Sequence, residues 1–127
     1  ILSDDTALFL HDFTDRTPEK VTMTFRRSYN ATRVRESQIE VRTCSDEVFE
    51  LGIMEVRSPS GNLVRAYNLE RTLCDMMRGR RTFDKQVVIP AIKRYVHAEK
   101  RDIGKLLRYA RTLGVERKIH PILEVLL

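Results

Sequence analysis

Apolar and polar residues alternate in the first half of the chain, whereas apolar residues recur at helical spacing in the second half. The alternation predicts half-buried strands at Val21–Phe25 and near Gln38–Cys44. Ile53–Arg57 and Leu63–Tyr67 flank the turn-forming loop Ser58–Asn62, which predicts a β-hairpin. The side chains expected to face the core are Val21, Met23 and Phe25 in the first strand and Ile39 and Val41 in the second.

Helix signals lie near the N-terminus and in every segment beyond Asn68. Ser3 suits the N-cap of a helix from about Asp4 to Asp12, and the loop Asp15–Pro18 follows it. A short helical turn is expected within residues 46–51. Four C-terminal helices are expected at residues 69–78, 83–100, 103–113 and 115–127. Asn68 and Asp102 are the expected caps, and Gly79 and Gly114 are expected to end the first and third of these helices. Pro90 predicts a kink or a junction of two helices, and Pro121 predicts a break.

Strands followed by helices predict an α+β fold, in which an N-terminal helix and a small, mainly antiparallel sheet of about four strands pack with about four helices. A chain of 127 residues, 42% hydrophobic and 32% charged, fits one globular domain covering residues 1–127. Its apolar stretches are too short to cross a bilayer, and no secretory signal pattern opens it. We therefore expect no membrane association and a cytoplasmic location.

The net charge is +5, and most of the 23 cationic side chains are arginine, which favours an anionic partner and nucleic acid first. A solvated basic surface without a partner is the alternative. Two groups of side chains are candidates for nucleic-acid contact. The first follows the first strand and comprises Arg26, Arg27, Arg33 and Arg35; the second lies on the third C-terminal helix and comprises Arg101, Lys105 and Arg108.

The run Asn68–Asp75 has a complete physical interpretation as structure. Asn68 is a helix cap, and Arg71 and Asp75 are neighbours one helical turn apart. On an exposed helix such a pair contributes about 0.2–0.5 kcal/mol. In a buried setting the loss of one partner costs about 3–5 kcal/mol. We favour the buried, architectural role, and we interpret His11 as a hydrogen-bonded structural residue since no nucleophile lies at a suitable spacing.

Two runs, Thr6–Pro18 and Tyr67–Asp75, resemble the effector half of the AbiEi-type antitoxins of bacterial type IV (abortive infection) toxin–antitoxin systems. The resemblance extends over nearly the whole chain, although Asp12 stands where the family more often has a small residue such as glycine. The residues that carry it, and that it marks as a structural motif, are His11, Asp15, Arg16, Asn68, Glu70, Arg71, Thr72 and Asp75.

The resemblance implies an antitoxin that is also a transcriptional repressor, with a winged helix-turn-helix upstream of Ile1. Promoter DNA would be bound mainly by that upstream domain, and the present domain would assist DNA binding or oligomer contacts. The expected functional partner is a nucleotidyltransferase-like toxin encoded alongside. Direct binding of the toxin is not implied.

Two other classes of function stay open at this point. The first is a sensor or dimerisation domain of a regulator without a toxin partner, which the neighbouring gene would distinguish. The second is a nucleic-acid-processing enzyme, but the sequence has no phosphate-binding glycine loop, metal-ligand pattern or strand-borne carboxylate set. We therefore expect no catalytic activity, no cofactor and no metal, and we interpret Cys44 and Cys74 as small buried hydrophobic residues.

Overall fold

A computed structural model describes residues 1–79 and 82–127 and has an α+β fold, as the sequence predicts. Among these residues, no helix is long and apolar enough to cross a membrane. The elements in chain order are α1 (Asp4–Leu10), β1 (Thr22–Arg26), α2 (Thr32–Glu36), β2 (Glu40–Cys44), α3 (Asp46–Phe49), β3 (Ile53–Arg57), β4 (Leu63–Tyr67), α4 (Leu69–Arg78), α5 (Thr82–Val96), α6 (Ile103–Thr112) and α7 (Glu116–Leu126).

The N-terminal residues join two strand pairs, β1–β2 and β3–β4. Leu2 lies between them, antiparallel to Met23 of β1 and parallel to Ala66 of β4. The backbone N–H of Leu2 donates to Arg65 O at 3.0 Å, and its carbonyl accepts from Tyr67 N at 3.1 Å. The backbone order is therefore β2, β1, the N-terminal segment, β4 and β3.

The β3–β4 hairpin is antiparallel, as predicted, and pairs Ile53 with Tyr67. By contrast, β1 and β2 are parallel, with Thr22 opposite Glu40, so the expectation of a mainly antiparallel sheet holds only for the hairpin. The reason is the connection between the two strands. It includes the short helix α2 and returns the chain to the starting end of β1, as a parallel pair requires.

The predicted inward face of the first strand is wrong. Thr22 and Thr24 are the buried residues of β1, while Val21 is 45% exposed. The threonine hydroxyls have polar partners inside the fold: Thr24 Oγ1 donates to Ser3 Oγ at 2.8 Å and Thr22 Oγ1 donates to Asp5 Oδ1 at 3.2 Å. Because these hydrogen bonds satisfy both hydroxyls, the polar face of the strand is the one that packs against the N-terminal segment.

The helices enclose one hydrophobic core. Two of the four prolines lie inside continuous helices, Pro90 in α5 and Pro121 in α7, so the predicted break at Pro121 is wrong. Pro121 removes one backbone hydrogen bond from α7, but the burial of Ile119 and Leu123 by the same helix outweighs this loss. The largest core side chains include Leu8 of α1, Leu73 and Met76 of α4, Ile92 of α5 and Leu106 of α6.

Candidate functional site: a buried polar junction and a basic surface

Asn68 lies where the hairpin ends and α4 begins, and it acts as the predicted cap. Its side-chain Oδ1 accepts from the backbone N–H of Arg71 at 2.9 Å. Its own N–H donates to Gly52 O at 2.7 Å, and its Nδ2 donates to the hydroxyl of Tyr109 at 3.3 Å. One residue thus fixes the direction of α4 relative to β3, β4 and α6.

The Arg71 side chain is fully buried and makes the predicted pair with Asp75, with Nε donating to Oδ2 at 3.0 Å. Its Nη1 also donates to the carbonyls of Val48 and Leu51, the second at 3.0 Å. The guanidinium lies 4.2 Å from the centre of the Tyr67 ring. Arg71 therefore links the α3 region, the hairpin and α4 through one charged group.

The carbonyl of Tyr67 is a second point of convergence. His11 Nε2 lies 2.8 Å from this oxygen, and the Thr72 hydroxyl donates to it at 3.5 Å. Thr72 is fully buried, and the Tyr67 hydroxyl donates to Phe49 O at 2.6 Å. The Tyr67 carbonyl thus gives His11 the hydrogen-bond partner that its structural interpretation expects. His11 directly follows α1. The next residue, Asp12, adopts φ of +63°, a conformation that aspartate tolerates better than most residues other than glycine.

Glu70 connects α4 to the next two helices. Its Oε2 accepts from the Tyr95 hydroxyl at 2.6 Å, and Tyr95 in turn accepts from the backbone N–H of Asp102 at 2.7 Å. Its Oε1 lies 3.7 Å from Lys105 Nζ. The candidate Lys105 is therefore paired with a buried carboxylate rather than directed only to solvent.

Asp15 and Arg16 are placed apart from this junction. Both are exposed; Asp15 Oδ1 lies 3.7 Å from Arg94 Nη2 and the Arg16 guanidinium lies 5.6 Å from the centre of the Phe83 ring. Six of the eight motif residues therefore lie on one network of contacts around α4. Asp15 and Arg16 lie at the surface.

A cleft of about 160 Å³ opens beside the Arg71–Asp75 pair. Arg71 Nη2 and Asp75 Oδ1 face no hydrogen-bond partner within the described residues. Burial raises the pKa of the Asp75 carboxyl, and Arg71 opposes that effect. Asp4, which also lines the cleft, has a pKa raised to about 7, first by burial and then by the Asp75 charge, although Arg42 Nε lies 3.2 Å from its Oδ2.

Sequence reasoning did not find this cleft. Asp4 was expected only as the first residue of the N-terminal helix, and instead it adopts φ of +50° and turns its carboxyl towards the polar cluster. An acidic residue at a helix start gives no signal that distant arginines and aspartates will surround it. Cys44 and Cys74 are buried and free, as predicted, and burial raises the pKa of the Cys74 thiol to about 12.

The Asp4 carboxyl predicts a measurable pH dependence of stability. Its native pKa of about 7 lies above the usual value of 3.8, so the folded state holds the proton more tightly than the unfolded state. This contribution is present at low pH and is lost as the pH rises through about 7. Relative to Asp4→Asn, the wild-type protein is expected to lose on the order of 3 kcal/mol more unfolding free energy between mildly acidic and mildly alkaline buffer.

Urea unfolding of both proteins across that range measures the difference. Asparagine is the matched replacement since it keeps the shape and tolerates a positive φ. Parallel stability curves for wild type and Asp4→Asn would show that the carboxyl is not the titrating group.

The segment 27–35 carries Arg27, Arg33 and Arg35, which are exposed and have no ion pair within the described residues. Arg26 differs from them, because it lies 3.3 Å from Glu50 and 3.8 Å from Asp46 and its guanidinium covers the Phe49 ring at 4.5 Å. The three exposed arginines are thus the better candidates for phosphate contact.

The second candidate group, on the third C-terminal helix, does not form one free basic face. Arg101 precedes the helix and donates to Ala98 O at 2.9 Å, Lys105 pairs with Glu70, and Arg108 is exposed. Arg101 and Lys105 therefore make structural contacts, whereas Arg108 faces solvent.

No protein-family model matches the chain, and no curated protein matches it significantly. In residues 1–79 and 82–127, His, Cys, Asp and Glu form no group of three or more suited to a metal ion. What the described geometry provides is a buried polar junction that orders the fold and a separate set of exposed arginines.

Proposed function

We propose that this chain is the effector domain of a bacterial AbiEi-type antitoxin that is also a transcriptional repressor. In this proposal it counteracts a nucleotidyltransferase-like toxin and assists promoter DNA binding. The observation that carries the proposal is the arrangement of the Asn68–Asp75 run, which directly follows a hairpin and builds a buried junction between the sheet and the helices. The resemblance expects this motif in this place.

The contacts of the motif also support a non-enzymatic role. Glu70, Arg71 and Thr72 are buried and engaged with other parts of the fold, and Arg71 is held by a carboxylate and two backbone carbonyls. Groups held in this way order a scaffold. An antitoxin or repressor domain acts through its surface, and the exposed arginines supply a surface that fits phosphate.

Replacing Arg27, Arg33 and Arg35 together by alanine is expected to weaken binding of promoter DNA by the repressor and to leave folding stability nearly unchanged. Each lost phosphate contact lowers the salt dependence of log K by about 0.9. Affinity measured at several salt concentrations gives both quantities. Exposed positions remote from a packed core change stability by less than about 0.5 kcal/mol.

The matched control removes the same charge elsewhere, through Arg57→Ala, Arg65→Ala and Arg117→Ala, since these three arginines are exposed too. The control should bind DNA better and with a steeper salt slope than the first variant. Equal losses in both variants would mean that net charge alone matters and that the 27–35 segment is not a contact.

The antitoxin part of the proposal is tested by growth. This chain, co-expressed with the nucleotidyltransferase-like protein encoded beside it, is expected to restore growth that the toxin alone arrests. If a folded chain gives no rescue, a regulator's sensor or dimerisation domain becomes the better description.

A further inference from the structure

A stacked aromatic pair lies at the start of the basic segment that carries Arg27, Arg33 and Arg35. The rings of Phe25 and Tyr29 stack with their centres 5.0 Å apart and their planes 10° apart. Phe25 is half-buried, whereas Tyr29 is 53% exposed. One face of the Tyr29 ring therefore rests on Phe25, and the opposite face is directed to solvent.

The segment around Tyr29 is ordered by several hydrogen bonds. The backbone N–H of Tyr29 donates to Arg26 O at 3.0 Å. Asn30 Oδ1 accepts from the Thr32 N–H at 3.1 Å and from the Thr32 hydroxyl at 2.6 Å, at the start of α2. Ala31 between them is buried. The ring is thus held in place before any ligand arrives, which lowers the entropy cost of stacking.

The chain segment that carries the ring is basic. Residues 27–36 contain Arg27, Arg33 and Arg35 against one acidic residue, Glu36. Phe83, the other exposed aromatic among the described residues, differs because the Arg16 guanidinium covers its ring. Among the aromatic residues that the structure describes, Tyr29 combines an exposed ring with arginines nearby in the sequence that make no described ion pair.

We propose that this surface binds single-stranded nucleic acid, with an unpaired base stacked on Tyr29 and the flanking phosphates on Arg27, Arg33 and Arg35. An aromatic platform with a positively charged border is the arrangement that single strands use, because every base has a face to stack. In a duplex both faces of each base are already stacked, so a duplex gains only the phosphate contacts. The inference rests on the proposed function only for the role of the arginines.

The test compares Tyr29→Ala and Tyr29→Phe in the full chain by fluorescence anisotropy. The probes are a labelled mixed-sequence DNA strand of about 12 nucleotides and its duplex. Tyr29→Ala is expected to weaken single-strand binding roughly tenfold and duplex binding less than about twofold. Tyr29→Phe should stay near wild type, since it keeps the ring and removes only the hydroxyl. Leu63→Ala, at another exposed apolar position, should change neither affinity.

Three results overturn the inference: no effect of Tyr29→Ala on the single strand, equal losses on strand and duplex, or the same loss in Tyr29→Phe, which would make Tyr29 a hydroxyl donor. Failure of the proposed function looks different. In that case the triple arginine variant binds promoter DNA like wild type, whatever Tyr29 does.

Discussion

Replacement of Arg71 by alanine is expected to lower the free energy of unfolding by about 3–5 kcal/mol. The substitution removes a fully buried guanidinium and leaves the Asp75 carboxyl and the carbonyls of Val48 and Leu51 without their donors. It also removes the cation from the face of the Tyr67 ring. Urea unfolding followed by circular dichroism measures the loss. A protein that has lost this much stability should still show the cooperative transition of a small domain.

The control uses the second arginine near the same carboxylate. Arg78 Nη2 lies 3.7 Å from Asp75 Oδ1, and its side chain is 48% exposed, so Arg78→Ala should cost less than about 1 kcal/mol. The double variant Arg71→Ala, Asp75→Ala should be more stable than the sum of the two single losses predicts, because it removes both partners. Equal, small effects at Arg71 and Arg78 would contradict the buried junction.

The second large effect is expected at Gly52, which adopts φ of +85° between α3 and β3. A Cβ atom at this position would lie 2.8 Å from Asn68 Oδ1 and 3.0 Å from Arg71 Cβ. Gly52→Ala therefore combines backbone strain with a clash against the cap and the buried arginine. We expect a loss of roughly 2–4 kcal/mol in unfolding free energy.

Gly61 is the matched control for the backbone contribution. It adopts φ of +91° in the hairpin loop, and a Cβ there would meet nothing within 4 Å. Gly61→Ala should thus cost only the conformational strain, about 1–2 kcal/mol. The difference between the two variants reports the clash alone. If both lose the same amount, the junction is able to move away from the added methyl group.

Local features of the fold were predictable from the sequence. The hairpin is defined by turn residues between two alternating segments, and α4 by Asn68 as cap and apolar residues at helical spacing. The Arg71–Asp75 pair follows from a spacing of four residues in that helix. In each case the signal and the structure lie within a few residues of each other.

Non-local features were not predictable in the same way. Leu2 joins the two strand pairs, yet three residues at the start of a chain have no periodicity to indicate a strand. The buried face of β1 is polar because Ser3 and Asp5 supply partners, which depends on how α1 docks. Strand alternation indicates which residues share a face, and in β1 packing partners selected the threonine face.

The candidate site also has a local part that the sequence predicted and a non-local part that it did not. The sequence of α4 predicted the Asn68 cap and the Arg71–Asp75 pair, but the partners of Glu70 come from α5 and α6 and became visible only in three dimensions. Gly52 was missed since a glycine between two strands reads as an ordinary turn residue. Its value to the site comes from Asn68 and Arg71, which lie well beyond it in the chain.

The buried junction around α4 and the exposed segment 27–35 have different expected roles, the first in stability and the second in binding. Six of the eight motif residues hold the sheet, α1 and the helical group together, and the segment 27–35 carries exposed arginines and a stacked tyrosine. A variant of the junction should therefore act through stability. A variant of the surface should act through binding at unchanged stability.

The most direct measurement is growth of cells that express this chain together with the nucleotidyltransferase-like toxin that the proposal names as its partner, with the amount of soluble chain determined in the same cultures. We expect the wild-type chain to restore growth, and Gly61→Ala, which alters only a hairpin loop, to do so at equal soluble amounts. Arrested growth in the presence of abundant, folded wild-type chain would overturn the proposed antitoxin role of these residues and would favour a regulator's sensor or dimerisation domain.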